Sequence, residues 1–161
     1  MIDIIEQAFL ESLRMLEDGI RKIPDSHWRQ GNGEFLVPAR IAYHTMIGLE
    51  WFFSNLPEAE HKKTRRYNLN WKGPVQDFPD RGAMLEDLAW MTGRVHEWFA
   101  AWAQEAAAGA DRPYRLKKAL YFLRHTQHHI GEFCATARLL GQDRPAWEYP
   151  TNVPESIRNN P

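Results

Sequence analysis

The stretch YFLRHTQHHIGEF (121–133) decides how this chain is read. Its apolar residues recur at helical spacing, and it sets His125, His128 and His129 close together. At about 100° per residue, His125 and His129 stand roughly 40° apart on one face, one turn from each other. Two imidazoles at i and i+4 can share a metal ion. His128 falls about 60° to the other side of His125, further from the apolar arc, and is expected to be an outlying neighbour. The same spacing also suits an exposed pair or a hydrogen-bonded core histidine, because H-x-x-x-H alone is a common pattern.

That stretch belongs to the last of four segments with helical periodicity. It opens at Pro113 and runs to about Leu140, with Gly141 suited to the position after the helix. Leu116, Leu120, Leu123, Ile130, Phe133, Ala137 and Leu140 form a broad apolar arc, as in a helix set between two neighbours. The first segment covers Ile2 to Lys22, and Pro24 ends it. The second runs from Pro38 to about Phe53, with Ile41, His44, Gly48 and Trp51 in one stripe. The third follows Asp80, a suitable N-cap, to about Ala107, with Met84, Leu88, Met91, Val95, Trp98 and Trp102 inward. The sequence Gly-Ala-Asp at 109–111 breaks that pattern. No segment shows strand alternation.

The expected fold is therefore all-α. The connection over about 57–79 is long for a bundle, enough to run the length of a helix. The short or moderate first and last connections allow antiparallel neighbours. These lengths predict one domain over 1–161, a four-helix bundle with a crossover between its second and third helices. An irregular tail begins at about 142, with Trp147 and Tyr149 as packing anchors.

Composition narrows the function classes. The chain has 161 residues, 43% hydrophobic and 25% charged, an ordinary globular balance with a formal net charge of −1. No broad basic footprint for nucleic acid exists, and no apolar run approaches membrane-spanning length. The basic run HKKTRRY (61–67) reads as a solvated loop. Cys134 is the single cysteine, so no internal disulfide forms. The N-terminal MIDIIEQAFLE lacks the basic start and cleavage site of a secretory signal. The expected compartment is the cytoplasm.

A third imidazole comes from the second helix. His44 sits inside an apolar stripe among Ile41, Ile47, Gly48 and Trp51, where a polar side chain must be paired or costs stability. His44, His125 and His129 together would suit Zn²⁺, Ni²⁺ or another borderline divalent ion. Three protein ligands leave positions for water or substrate. Glu132 and Tyr121 point the same way as His125, within about 20° and 40°. Glu132 is a candidate orienting acceptor or general base, equally a solvated glutamate; Tyr121 reads first as a packing residue with a wet hydroxyl. Cys134, about 180° from His125, reads as a buried packing thiol. His96 is expected on an exposed flank, and His27 and His61 in loops. No phosphate loop, nucleophile elbow or pair of E-x-x-H motifs occurs; the G-N-G at 31–33 reads as a turn.

These residues resemble the DinB/YfiT-like superfamily of small metal-binding helical bundles. ARIAYHTMIGLEWFF (39–53) is similar to the family's second helix, a histidine followed by an acidic residue and an aromatic, here His44, Glu50 and Trp51. YFLRHTQHHIGEF is similar to its H-x-x-x-H-R-G-Q signature, with His125, His129 and Gly131 in place. The resemblance spans the four helices and not the tail. Ile130 stands where the family has Arg, and Glu132 where it has Gln. The resemblance implies a crossover bundle, a three-histidine Zn or Ni site and a homodimer. It also implies a small-molecule substrate and, in characterised relatives, S-transferase or isomerase chemistry on a low-molecular-weight thiol. The expected function is a metal-dependent enzyme that activates a thiol or water, a thiol S-transferase before a hydrolase. The rivals are a non-catalytic metal-binding stress-response protein and a metal-free interaction module.

Overall fold

A computed structural model describes residues 1–31, 35–110 and 113–148. Among them are six α-helices: α1 (Ile2–Lys22), α2 (Asp25–Trp28), α3 (Pro38–Ser54), α4 (Glu58–Thr64), α5 (Arg81–Ala107) and α6 (Pro113–Leu139). A 3₁₀ turn spans Val75–Asp77. The four long helices coincide with the four periodic segments of the sequence.

Their ends are set by local chemistry. Asp80 caps α5, its Oδ1 accepting from the Ala83 amide at 2.8 Å. Pro38 occupies the first turn of α3, where its missing N–H is no loss. Both 27-residue helices end in Schellman motifs built on a left-handed glycine. After α5, Gly109 has φ +75°, and the Gly109 and Ala110 amides donate to Ala106 and Glu105. After α6, Gly141 has φ +69°, and the Gly141 and Gln142 amides donate to Arg138 and Ala137.

α1 and α3 each pack along both α5 and α6, while α1 and α3 themselves approach little. The pairs joined by the shorter connections, α1 with α3 and α5 with α6, therefore stand across the core from each other, although those connections would have allowed them to lie side by side. Side chains bridge that diagonal. Phe52, fully buried, has its ring 6.0 Å from Phe9 of α1, 4.9 Å from Trp98 of α5 and 4.7 Å from Phe122 of α6. One aromatic side chain thus joins all four long helices.

The long connection is anchored rather than loose. α4 and the 3₁₀ turn lie within it, so the basic run 61–67, expected as a loop, starts on a helix. Arg40, buried on α3, donates to the carbonyls of Trp71 at 2.6 Å and Gly73 at 3.0 Å. The Tyr43 hydroxyl donates to Leu69 O, the Trp28 indole to Pro79 O and Arg29 to Phe78 O. Side-chain donors thus satisfy carbonyls that a loop crossing a protein surface cannot pair with itself.

Three packing expectations change. Leu120 was placed in the apolar arc of α6 but is 45% exposed; the buried face passes instead through Ala119, Phe122 and Thr126. Cys134 is half-buried, not enclosed, and its thiol pKa is raised by that burial. Trp147 is exposed; the described tail is held on α1 by the Ala146 amide on Asp18 and by Pro145 against Gly19. Tyr149, Asp111 and most of the G-N-G turn lie outside the described residues.

Phe52→Ala, which removes the shared ring, is expected to cost about 3–5 kcal/mol of unfolding free energy in urea titration. A loss below about 1 kcal/mol would show that the four helices do not depend on it.

Candidate metal centre

α3 contributes His44 and α6 contributes His125 and His129, and one ring nitrogen from each lies within 4.8 Å of the others. The i, i+4 spacing on α6 brings the Nε2 atoms of His125 and His129 to 3.2 Å. The His44 ring faces both, with centroids 5.5 Å from His125 and 4.7 Å from His129. Two nitrogens bound to one tetrahedral zinc at about 2.0–2.1 Å stand roughly 3.3 Å apart. The observed pair needs almost no rearrangement to meet that geometry.

Gly48 makes the approach possible. A Cβ built there would meet Cε1 of His125 at 2.9 Å, inside contact distance. Gly48 lies one turn beyond His44 on the same helix face. The glycine that opens space for one imidazole is therefore adjacent to the residue that supplies another.

Glu132 fixes the third ring. Its Oε2 is 2.7 Å from Nδ1 of His129. An ionised carboxylate only accepts, so Nδ1 carries the proton and the Nε2 lone pair of His129 points back to the cluster. Glu132 Oε1 lies 3.3 Å from Nε2 of His128, which is exposed, as its helix position predicted. His128, His129 and Glu132 also converge closely enough to hold an ion, but that set is open to water and already internally paired.

The other two imidazoles are not provided for. Nδ1 of His44 and Nδ1 of His125 are buried without a hydrogen-bond partner. Burial, then the neighbouring His129, lowers the pKa of each from 6.5 to about 4. Both rings are thus neutral at pH 7, the state in which an imidazole can ligate. Three converging imidazoles, two of them neutral and the third oriented by a carboxylate, fit a borderline divalent ion.

Two clefts flank His44. The larger, of about 270 Å³, is lined by Ile47, Trp51, Tyr121, Phe122, His125 and α4 residues. The smaller, of about 100 Å³, is lined by Phe35, Arg40, Ile41, Trp71, His129 and Glu132. Tyr121 and Glu132, the two candidate proton carriers, therefore lie on opposite sides of His44. Tyr121 is 54% exposed at the larger cleft, less a packing residue than its sequence context implied.

Three features were not visible in the sequence. Trp71, in the long connection, sets its ring 4.7 Å from that of His44. Gly48 was noted only as a member of an apolar stripe. His61 was placed in a loop without partners, whereas it lies on α4, buried, in the wall of the larger cleft. His27 lies on the short α2, also not in a loop. His96 is exposed as expected, against Glu6 at 2.8 Å.

Compared with family models, curated proteins and solved structures, the chain matches none. No helix among the described residues is long and apolar enough to cross a membrane.

Gly48→Ala is expected to push His125 out of the cluster and weaken zinc affinity by about tenfold or more, read by competition with a chromogenic chelator. Unchanged affinity would show that the close approach is incidental. The metal-free protein should also lose stability as pH falls. His44 and His125 titrate near 4 when folded but near 6.5 when unfolded. The unfolded chain therefore binds more protons between those values, and stability present above about pH 6.5 declines through the window and levels off below about 4. Thermal melts of the wild type and of His44→Phe over that range check this, since the variant should show a shallower decline.

Proposed function

We propose that the protein is a metal-dependent enzyme in which His44, His125 and His129 hold a divalent ion, Zn²⁺ or Ni²⁺, beside a substrate cleft. The observation that carries this reading is the convergence of three imidazoles, one from α3 and two from α6, with one ring nitrogen of each within 4.8 Å of the others. The chemistry such an ion supplies is a lowered pKa for a thiol or water at its open position, giving a nucleophile near neutral pH.

The chain's own residues supply the rest. Glu132 holds the His129 proton at Nδ1 and keeps Nε2 free as a ligand. Trp51, Phe122 and Ile47 shield the His44 and His125 side from water. The Tyr121 hydroxyl is the proton donor or acceptor available to a molecule in the larger cleft. Glu132 could serve that role only from the smaller one.

A thiol-dependent S-transferase is the leading activity. Its support is the resemblance of the His44 and His125–Glu132 segments to the DinB/YfiT-like pattern, together with an aromatic cleft sized for a small molecule. Within that reading the four long helices form a crossover bundle, and α4 is part of the crossover. A hydrolase would use the same site with water as nucleophile.

Elemental analysis of tag-free protein tests the reading. About one divalent ion per chain is expected, and loss of it in both His44→Ala and His129→Ala. Thiol-transfer and ester-hydrolysis assays on the loaded protein then separate the two activities. Zinc that raises the melting temperature while neither reaction proceeds would make the ion structural. Protein that stays metal-free after incubation with Zn²⁺ and Ni²⁺ would remove the enzyme reading.

A further inference from the structure

The larger cleft has walls of unlike chemistry. α3 and α6 line it with Ile47, Trp51 and Phe122 beside His44 and His125. α4 and the residue that follows it line it with Glu58, His61, Lys62 and Arg65. Glu58, His61 and Lys62 follow at i, i+3 and i+4 on one face of the helix, and Arg65 stands just past its end. A short surface helix ordinarily turns an apolar stripe inward; α4 turns its polar face into an otherwise apolar cleft.

The charges on that wall do not cancel. Glu58 and Lys62 pair at 2.6 Å and neutralise each other. Arg65 donates from Nη2 to the neutral side-chain amide of Asn68, and its buried Nε has no partner. Glu50, the acidic group behind this wall, accepts from the Arg66 amide and is not among the cleft-lining residues. His61 is 5% exposed, and its Nε2 is buried without a partner. A buried imidazole nitrogen left unpaired beside a half-buried guanidinium is a recognition element lacking its ligand.

We propose that the larger cleft binds a small carboxylate-bearing molecule, its carboxylate received by Arg65 and His61 and its apolar body lying on Ile47, Trp51 and Phe122. The guanidinium fork matches the two carboxylate oxygens. His61, whose pKa burial lowers, adds one donor when its proton is on Nε2. A cavity of about 270 Å³ is at the small end for such sites, which run from roughly 300 Å³ upward. The inference deepens the enzyme reading by naming the substrate class, and rests on it for the reacting end at the histidines. Recognition of the carboxylate depends on the α4 wall alone.

The test uses 4-phenylbutyrate and its neutral analogue 4-phenylbutanol, titrated into the full chain with and without zinc. The Trp51 indole resonance, assigned with Trp51→Phe, reports binding. The acid is expected to bind about tenfold more tightly than the alcohol in both forms. Arg65→Gln should abolish that preference while leaving alcohol binding unchanged, and His61→Gln should reduce it. Equal binding of the two probes, or saturable binding of neither, overturns the proposal. So does a preference that needs zinc and survives Arg65→Gln, because the carboxylate is then a metal ligand; the metal site would stand. A preference lost in Arg65→Gln but present in protein that takes up no zinc supports the α4 wall and removes the metal reading instead.

Discussion

Gly48 has no side chain, and the imidazole of His125 occupies the space where one would be. This contact sets how closely α3 and α6 approach at the level of the histidines, and the site follows from it. With α3 this near, His44 on the preceding turn faces both His125 and His129. A bulkier residue at 48 would separate the helices or displace the ring, and the three nitrogens would no longer share one point. The aromatic packing around Phe52, one turn further along α3, supplies the opposing constraint by tying the same helix to α1, α5 and α6.

The close approach has an energetic consequence. Rings drawn into a bundle exchange water for apolar neighbours, and a polar atom that loses water needs another partner. His129 has one in Glu132, while His44 and His125 each retain a buried nitrogen without one. Other buried polar side chains of this fold are paired across it. Arg40, Tyr43 and Trp28 all find carbonyls of the long connection. A bound cation would turn the converging lone pairs of the three rings into a common coordination shell, and would leave Nδ1 of His125, across its ring from Nε2, to another partner.

The long helices were legible because their burial is periodic: Met84 to Trp102 on α5 fall inward as the spacing required. Their caps were legible because Asp80, Pro38 and Gly141 act through backbone rules that depend on few neighbours. The three histidines were legible in part, two from spacing and His44 as a polar residue in an apolar stripe. The partner that makes room for them was not, because the Gly48–His125 contact joins positions 77 residues apart by their numbering, and no periodicity encodes it. α4 was missed for a different reason. Its cleft-lining residues are Glu58, His61 and Lys62, with Arg65 just past its end, so the signal that marks a helix, a recurring apolar stripe, is absent where the helix serves a cleft.

That the group beside His129 is a carboxylate, Glu132, and not an amide bears on how the site would work. An amide can donate or accept, and so leaves the tautomer of its histidine open; an ionised carboxylate can only accept. Against Nδ1 of His129 it fixes the proton, points Nε2 at the cluster and makes the imidazole a stronger electron donor. The same carboxylate cannot also be a free base for a molecule in the larger cleft, because one oxygen is engaged by His129 and the group lies on the far side of His44. In the proposed enzyme, orientation and proton transfer would therefore fall to different residues, Glu132 behind the histidines and Tyr121 in front of them. An ion held between them would meet its substrate from the Tyr121 side, where the aromatic wall and α4 face each other.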